Sequence, residues 1–257
     1  MSETRSTSDT TTTVLITGAN KGLGYETARR LGELGWRVFL GARDEVRGRE
    51  AAERLSAGGA DVTFVPLDVT SDDSVTAAVR TVRESTDRLD VLVNNAGITG
   101  ELIGPEETLP QHLIPVFRVN VFGPVRVTHA FLPLLRAAHD PRVVMVSSGA
   151  GSFTITSDPQ RKESTFPHLM YPSSKAALNM ITTQYAKAIP GIRFNLADPG
   201  FTATDLNGHR GTQTVTEGTD AIVELATTSP GQTGQTGQTG QAGPTGQYRD
   251  RDGVLPW

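Results

Sequence analysis

The sequence predicts an α/β protein: a single doubly wound domain with a parallel sheet of about seven strands and helices on both faces. Three observations predict this class. Short apolar runs, rich in valine and isoleucine, recur along the 257 residues, as expected of strands buried on both faces. Amphipathic patterns with helical spacing lie between the runs. The alternation itself is typical of βαβ units, which build a parallel sheet covered by helices.

The predicted strands are short and follow one another along the chain. They cover residues 14–16, 37–40, 62–65, 89–93, 143–146 and 192–196. The sequence around them is polar or rich in glycine, as it is around short buried strands.

The helical patterns carry their own start and stop signals. Apolar residues from Leu23 to Leu34 predict the first helix, and Gly35 stands where a helix typically ends. A second stripe covers residues 75–82, and Thr70 and Asp73 before it have the spacing of a capping box. A third apolar stripe covers residues 177–188.

Two parts of the chain are predicted to lie outside regular structure. Residues 1–12 are mostly Ser, Thr, Asp and Glu, and this composition predicts a disordered tail before a single domain of residues 13–257. Residues 229–243 hold a repeated Gly-Gln-Thr and are predicted to form a low-complexity surface loop. The polar, aperiodic residues 149–170 are predicted to be a long loop beside the fifth strand.

Composition excludes several classes of protein. The chain has no cysteine, so disulfide scaffolds, thiolate nucleophiles and cysteine-bound metals are excluded. A net charge of -4 argues against a nucleic-acid-binding surface, and no run of 18 apolar residues predicts a membrane span. The five histidines lack metal-ligand spacing, so no metal site is predicted. We expect a cytoplasmic protein without a signal peptide.

The first predicted strand runs into a glycine-rich turn. Gly18, Gly22 and Gly24 stand immediately before the first predicted helix. Gly18 would permit the tight turn, Gly22 would let the backbone approach a pyrophosphate, and Gly24 would let the helix pack closely on the strand. Such a turn can also be purely structural, but its position after the first strand of an alternating chain favours a nucleotide site.

The end of the second strand indicates which nucleotide. Ala42 stands where NAD-binding folds usually place a carboxylate, and Arg43 follows it. A guanidinium suits a 2′-phosphate, and Lys21 in the glycine turn adds a second cation, so the pattern favours NADP(H). The alternative is two ordinary surface cations, and the neighbouring Asp44 speaks against a phosphate.

Tyr171 and Lys175 open the third helical pattern, one turn apart on the same face. An ammonium beside a phenol would lower the pKa of Tyr171 and make it a general acid for carbonyl reduction. Ser148, at the end of the fifth strand, would donate a hydrogen bond to a substrate oxygen. Its neighbour Ser147 is interpreted as structural, and His168 as an exposed loop histidine.

Taken together, these motifs resemble those of the classical short-chain dehydrogenase/reductases, in particular the NADPH-dependent carbonyl reductases. The chain contains, in the order of that family, the TGxxxGxG turn, the NNAG motif, a catalytic asparagine, the serine, the YxxxK pair and the PGxxxT segment. The resemblance implies a Rossmann-type fold and a catalytic tetrad of Asn120, Ser148, Tyr171 and Lys175.

The resemblance also implies how the cofactor NADP(H) is bound. The implied cofactor-binding residues are Gly18, Asn20, Lys21, Gly22, Leu23, Gly24, Arg43, Asp68, Val69, Asn95, Ala96, Gly97, Tyr171, Lys175, Pro199, Gly200, Thr202 and Thr204. Among them, the Asp68–Val69 pair would border the adenine, and the segment 199–204 would hold the nicotinamide.

The expected activity is the reduction of a ketone or aldehyde to an alcohol. By resemblance, Lys175 bonds the nicotinamide ribose, and the main chain of Asn120 holds a water that returns a proton to Tyr171. Residues 117–129 have helical spacing, yet Pro124 has no N–H for the carbonyl of Asn120. Pro124 therefore either keeps that carbonyl free for the water or merely starts a new helical segment after Gly123.

Several alternatives stay open at this level. A non-catalytic NADP-binding regulatory protein would need the nucleotide site but not Ser148, Tyr171 and Lys175. Oxidation of an alcohol would use the same tetrad as reduction. The interval between Ser148 and Tyr171 is longer than usual in the family, and such an insertion either permits or blocks the family's oligomer contacts.

Phe153, Ile155, Phe166 and Phe201 are predicted near the substrate and suggest that it is apolar. We expect a small-molecule substrate and no nucleic-acid or membrane partner.

Overall fold

Eight strands form one sheet in the computed structural model of the protein, which describes residues 11–228 and 243–257. The strands are β1 Thr13–Thr17, β2 Arg37–Ala42, β3 Val62–Pro66, β4 Val91–Asn94, β5 Arg142–Val146, β6 Arg193–Ala197, β7 Tyr248–Asp250 and β8 Gly253–Val254. All six predicted strands are present within a residue or two of their predicted bounds.

The strand order is β3-β2-β1-β4-β5-β6-β7-β8. Every neighbouring pair runs parallel except β7 and the short β8, which pair antiparallel. This confirms the predicted doubly wound sheet of about seven parallel strands. The order reverses between β1 and β4, and ligands of such sheets bind at this reversal, outside the carboxyl ends of the strands.

The α-helices of the described residues cover the sheet on both sides. They are α1 Gly22–Glu33, α2 Glu45–Ala57, α3 Asp72–Arg83, α4 Pro110–Phe117, α5 Gly123–Ala137, α6 Phe153–Ser157, α7 Met170–Ala188, α8 Val215–Gly218 and α9 Asp220–Thr227. The apolar side chains of α1, α2 and α9 pack on one face of the sheet, and those of α3, α5 and α7 on the other. The strands are buried between these two layers, which explains why they read as continuous apolar runs.

Helices α4 and α5 are joined by one turn of π-helix, Arg118–Phe122, so the chain is helical from residue 110 to 137. Within this turn the N–H of Gly123 donates to the carbonyl of Arg118, five residues back instead of four. Such insertions inside α-helices are rare and frequently lie at functional sites. Pro124 falls in the first turn of α5, where its missing N–H is tolerated.

Two sequence-based details differ from the structure. The N-cap of α3 is Ser71, whose hydroxyl accepts from the N–H of Ser74, and not Thr70. Thr70 instead donates its hydroxyl to Asp68. The segment 149–170, predicted as a loop, contains α6 and two 3₁₀ turns, Gly149–Gly151 and Lys162–Thr165. Aperiodic sequence conceals such short helices because they have too few turns to show a period.

The predicted polar tail and Gly-Gln-Thr loop fall almost entirely outside the described residues, at 1–10 and 229–242. Among the helices that the structure describes, none combines the length and apolarity needed to cross a bilayer.

Candidate active site

A cleft of about 350 Å³ opens at the carboxyl ends of the strands, where the strand order reverses. The predicted cofactor-binding residues line it, except for Gly24, Gly200 and Thr202. Sequence reasoning missed eight further lining residues: Leu67, Thr70, Ile98, Val119, Val146, Ser147, Asp205 and Leu206. Most of these are apolar and adjoin predicted motifs, so proximity in sequence was the only signal that marked them.

The glycine-rich turn forms one wall of the cleft. Gly18 has φ +65°, and a Cβ there would come within 3.0 Å of the Cα of Ala96. Gly22 has φ +55°, but only Thr204 comes within 4 Å of its missing Cβ, so the backbone beside it is open. A Cβ on Gly24 would meet the carbonyl of Gly18 at 2.6 Å, so Gly24 serves close packing and does not line the cleft.

Helix α1 begins at Gly22, at the wall of the cleft. Its N-cap residue, Lys21, makes no capping hydrogen bond with its side chain, and no acidic residue stands in the first turn. The first N–H groups of the helix therefore lack a side-chain acceptor, and the positive end of the helix dipole adjoins the cleft. This is a favourable place for a phosphate.

Arg43 is exposed, lines the cleft and has no hydrogen-bond or ion-pair partner within residues 11–228 and 243–257. The neighbouring Asp44 is the N-cap of α2 and accepts from the N–H of Arg47 at 3.0 Å. The side chain of Asp44 is therefore engaged as the cap of α2, which gives its position beside Arg43 a structural reason. Lys21 forms a 2.7 Å ion pair with Asp205 across the mouth of the cleft.

The NNAG segment holds the glycine turn in place. The amide of Asn95 donates to the carbonyls of Thr17 and Gly18 at 2.8 and 3.1 Å. The N–H groups of Asn95 and Ala96 both donate to the hydroxyl of Thr17. The Asn95 side chain is therefore engaged by the backbone of the turn, although the residue borders the cleft.

On the side predicted to border the adenine, the carboxylate of Asp68 accepts from both the N–H and the hydroxyl of Thr70 at 2.8 Å. The carbonyl of Val69 accepts from the guanidinium of Arg126. These bonds fix the direction of the chain between β3 and α3 along the cleft.

Three members of the predicted tetrad meet at the end of β5. Tyr171 and Lys175 lie on the first two turns of α7, and Ser148 follows β5. Burial raises the pKa of Tyr171 to about 12, and the nearby hydroxyl of Ser148 offsets part of that rise.

This pKa differs from the lowered value that the Tyr-Lys spacing predicts. The ammonium of Lys175 lies 5.5 Å from the ring centroid of Tyr171 and donates to the carbonyl of Val146 at 2.8 Å. Lys175 is itself only 4 % exposed, and burial lowers its own pKa to about 8. For both side chains, desolvation therefore shifts the pKa more than the charge of the neighbouring group does. The spacing of two residues in sequence does not show how far they are desolvated.

Asn120 lies in the π-helical turn and is 1 % exposed. Its side chain accepts from the N–H of Ile98 and donates to the carbonyl of Ile98 and to Ser174, at 2.8 to 3.0 Å. The amide group of Asn120 is thus fully engaged in structure, which leaves its main chain for any role in catalysis. A Cβ on Gly97 would lie 3.5 Å from the Asn120 side-chain oxygen and 3.7 Å from the nitrogen of Lys175.

The neighbouring Ser147 is buried, and its hydroxyl bonds the side chain of Asn179 at 2.5 Å, in keeping with a structural role. The loop after β6 turns at Gly200, where φ is +64°. Thr202 is 3 % exposed and donates its hydroxyl to the carbonyl of Pro199 at 2.7 Å. Gly200 and Thr202 therefore shape the loop without lining the cleft, whereas Pro199 and Thr204 line it.

His168 is not an exposed loop histidine. It is 8 % exposed, and its Nε2 lies 2.8 Å from the carbonyl of Glu101. The segment that carries it lies against Gly100 and Glu101, a long-range contact that local sequence does not show.

Of the four apolar residues predicted near the substrate, Ile155 belongs to the hydrophobic core. Phe153 lines a separate groove of about 610 Å³ beside α7 that holds none of the predicted site residues. Phe166 and Phe201 remain exposed at 60 % and 36 %, and Lys162 lies over the ring of Phe201 at 3.5 Å.

Known proteins resemble this chain in sequence and in architecture. The family model described as short chain dehydrogenase matches residues 12–214. The short-chain dehydrogenase anuI of Penicillium roqueforti is 40% identical over 222 residues, covering 83% of this chain and 88% of that protein. The (+)-neomenthol dehydrogenase of Arabidopsis thaliana is 34% identical over 269 residues, covering 82% of this chain and 90% of its own length.

A solved structure agrees with these relatives. The NADPH-bound carbonyl reductase from chicken fatty liver superposes with a TM-score of 0.81 at 28% identity, over 96% of this chain and 99% of that one. The fold, the order of motifs and the extent of the match lead to one conclusion: this chain belongs to the short-chain dehydrogenase family.

Proposed function

We propose that this oxidoreductase reduces a ketone or an aldehyde to an alcohol with NADPH as the hydride donor. The observation that carries the proposal is the meeting of Ser148, Tyr171 and Lys175 at the end of β5, beside a cleft that suits a dinucleotide. A protein that only senses NADP would have no need of a hydroxyl pair at that place.

The residues of the cleft fit a dinucleotide with a 2′-phosphate. The uncapped N–H groups at the start of α1 would hold the pyrophosphate, and the open backbone at Gly22 gives it room. Arg43 and Lys21 would hold the 2′-phosphate, because β2 ends at Ala42 and the nearby carboxylate of Asp44 is engaged as the cap of α2. When bound, NADPH supplies the hydride that the carbonyl carbon receives.

Residues of this chain would carry out the remaining steps of the reaction. Tyr171 donates its phenolic proton to the carbonyl oxygen as negative charge develops there. The hydroxyl of Ser148 donates a hydrogen bond to the same oxygen. As the resemblance to the family implies, Lys175 and the main chain of Asn120 would return a proton to Tyr171 from solvent.

The protonation state of Tyr171 favours reduction. A phenol with a pKa of about 12 keeps its proton at pH 7 and acts as an acid. Oxidation of an alcohol would need the same group as phenolate, a base. The relatives include both dehydrogenases and reductases, and we propose reduction because the protonated phenol suits the role of an acid.

Spectrophotometry tests the proposal. Wild-type protein is incubated with NADPH and a panel of activated ketones and aldehydes, and the loss of reduced nicotinamide is followed. NADP⁺ with the corresponding alcohols tests the opposite direction. We expect turnover of at least one ketone or aldehyde, faster with NADPH than with NADH. Tight binding of NADPH without turnover of any carbonyl compound or alcohol would indicate a sensor and contradict the proposal.

A further inference from the structure

Asp198 is a buried carboxylate beside the active site that the reaction above does not use. It follows β6 directly and is only 6 % exposed. Its main-chain N–H donates to the carbonyl of Arg249 on β7, so its position at the carboxyl end of β6 is fixed.

The carboxylate of Asp198 joins two loops. One oxygen accepts from the N–H of Gly200 at 2.9 Å. The second oxygen lies beside Gly149, 3.1 Å from where a Cβ on that residue would be, and the N–H of Gly149 lowers the pKa of the carboxyl. Gly149 directly follows Ser148, and Gly200 belongs to the loop of residues 199–204. One side chain thus connects the backbone that carries Ser148 with the backbone expected to hold the nicotinamide.

We propose that ionised Asp198 is a positioning residue that holds the Ser148 loop and the 199–204 loop together, and that its protonation slows the reaction. The kinetic part of this proposal rests on the function proposed above. A carboxylate accepts hydrogen bonds at both oxygens, whereas a protonated carboxyl carries a hydrogen on one of them. Protonation therefore costs the side chain one of its two backbone contacts, and the loops lose their common anchor.

The charges around Asp198 place this change in a measurable range of pH. Burial raises the pKa of Asp198 to about 6, and the negative charges of Asp250 on β7 and Glu163 in the segment before α7 raise it as well. The two backbone N–H donors act in the opposite direction. On the side of α7, the charge of Asp198 raises the pKa of both Lys175 and Tyr171.

Tyr248 on β7 is the remaining titratable neighbour. Its hydroxyl has no hydrogen-bond partner among the described residues, and the charge of Asp198 adds to the burial that raises its pKa. Tyr248 therefore stays neutral over the range in which Asp198 titrates.

Folding stability does not favour the ionised form of Asp198. A carboxyl whose pKa is higher in the folded than in the unfolded chain binds its proton more tightly when folded. Its contribution to the free energy of unfolding therefore falls as the pH rises from about 4 to 6. The carboxylate is retained at a cost to stability, which is typical of groups that serve the site.

The kinetic experiment compares Asp198→Asn with wild type. Asparagine keeps the shape but offers one acceptor oxygen and sets an N–H₂ group against the second backbone donor. We measure kcat and KM from pH 5 to 9 with saturating NADPH and a ketone from the panel. The wild-type kcat should fall below pH about 6. The variant should lack this acid limb, and its kcat at pH 8 should be lower by about ten- to a hundred-fold, the effect of one hydrogen bond to a charged group.

Glu163→Gln provides a second variant that keeps Asp198 itself. Removing the neighbouring negative charge should move the acid limb to lower pH without abolishing it. Asp158→Asn is the matched control, because Asp158 also accepts a backbone N–H, from Gln160, but in an exposed turn. The control should leave the limb in place. If the role of Asp198 were purely structural, Asp198→Asn would lower the melting temperature but would not change the pH below which kcat falls.

An NMR titration tests the contacts without turnover. The amide resonances of Gly149 and Gly200 in ¹⁵N-labelled wild-type protein should shift together with a midpoint near pH 6. The shifts should be absent in Asp198→Asn and should move to lower pH in Glu163→Gln. Amides that do not follow a common midpoint, or an acid limb of kcat that persists in Asp198→Asn, would overturn the proposal. If no ketone is reduced, the proposed function fails, while the amide titration still decides whether Asp198 joins the loops.

Discussion

The hydroxyl of Tyr171 is the proton donor in the proposed reaction, so removing it should stop reduction. In Tyr171→Phe the ring and its packing remain, and we expect kcat to fall by about 10²- to 10⁴-fold with NADPH affinity nearly unchanged. Stopped assays with a reactive ketone and a fluorescence titration of NADPH measure the two quantities.

The matched control for this variant is Tyr185→Phe. Tyr185 lies on the same helix, α7, and its ring is stacked on Phe194 at 5.0 Å, away from the cleft. The Tyr185→Phe variant should keep the wild-type kcat. If Tyr171→Phe retained more than half of the wild-type rate, the proton donor would have to be another group.

Arg43 is the residue expected to distinguish NADPH from NADH. It stands at the cleft without a partner among the residues described, and Arg43→Ala removes the one cation that follows β2 directly. A hydrogen bond between charged groups contributes about 1.5–3 kcal/mol, so the Kd for NADPH should rise by roughly ten- to a hundred-fold, and that for NADH should hardly change.

Parallel titrations of both cofactors measure this difference. Arg47→Ala is the control, because Arg47 is also exposed at the start of α2 but pairs with Asp44 and does not line the cleft. Equal losses of affinity for NADH and NADPH in Arg43→Ala would show that the guanidinium does not contact the 2′-phosphate.

At the residue scale, sequence patterns predict which side chains lie at the site, but they do not predict how buried those side chains are. The spacing of Tyr171 and Lys175 places both side chains at the cleft. The pKa of Tyr171 was predicted in the wrong direction because desolvation depends on tertiary packing. Asp198 was missed for the same reason, since a single acidic residue before a Pro-Gly pair has no periodicity or motif that marks its burial.

At the scale of secondary-structure elements, the π-helical turn Arg118–Phe122 is the part of the chain that Pro124 affects directly. Pro124→Ala supplies the missing N–H and would allow an α-helical bond to the carbonyl of Asn120. We expect a melting temperature at or above that of wild type, because a helical hydrogen bond is gained, together with a several-fold loss of kcat.

Pro133→Ala is the control for this variant. Pro133 also lies inside α5, so its replacement likewise restores a helical N–H, but far from Asn120. It should change the melting temperature only. A crystal structure of Pro124→Ala provides the direct observation: an unchanged π-turn with unchanged kcat would show that Pro124 merely begins α5.

The elements themselves were largely predictable. Strands β1 to β6 are apolar runs because helices cover both of their faces, and this pattern is visible in sequence. Strands β7 and β8 are only three and two residues long and were too short to show one. The cap of α3 was misplaced by one residue because Thr70 and Ser71 are equally good caps, and the choice depends on Asp68, which binds Thr70.

At the scale of the whole molecule, one buried cluster connects the amino-terminal ends of β5 and β6. Arg142 and Arg193 are paired across these strands and are only 7 % and 5 % exposed. Both bind the carboxylate of Asp140, at 2.5 and 2.8 Å. The two like charges lie side by side in a buried place, and Asp140 is the carboxylate that forms an ion pair with both of them.

Asp140→Asn should therefore destabilise the fold strongly. Removing one partner of a buried ion pair costs about 3–5 kcal/mol, because the remaining charge is left uncompensated. Urea denaturation should show a lower midpoint with an unchanged slope. In the control, Asp61→Asn, the lost partner of Arg37 is an exposed carboxylate, and the effect should stay below about 1 kcal/mol. Equal effects of the two variants would contradict this interpretation.

The separation of this cluster from the active site has a consequence for how the protein tolerates change. Arg142 begins β5 and Ser148 follows its end, so about 20 Å of extended chain separates them. Substitutions at such a distance, without shared partners, usually combine additively. Residues around the cleft can therefore be exchanged to alter the accepted substrate. Any stability lost in doing so can be regained independently by substitutions at the amino-terminal ends of the strands.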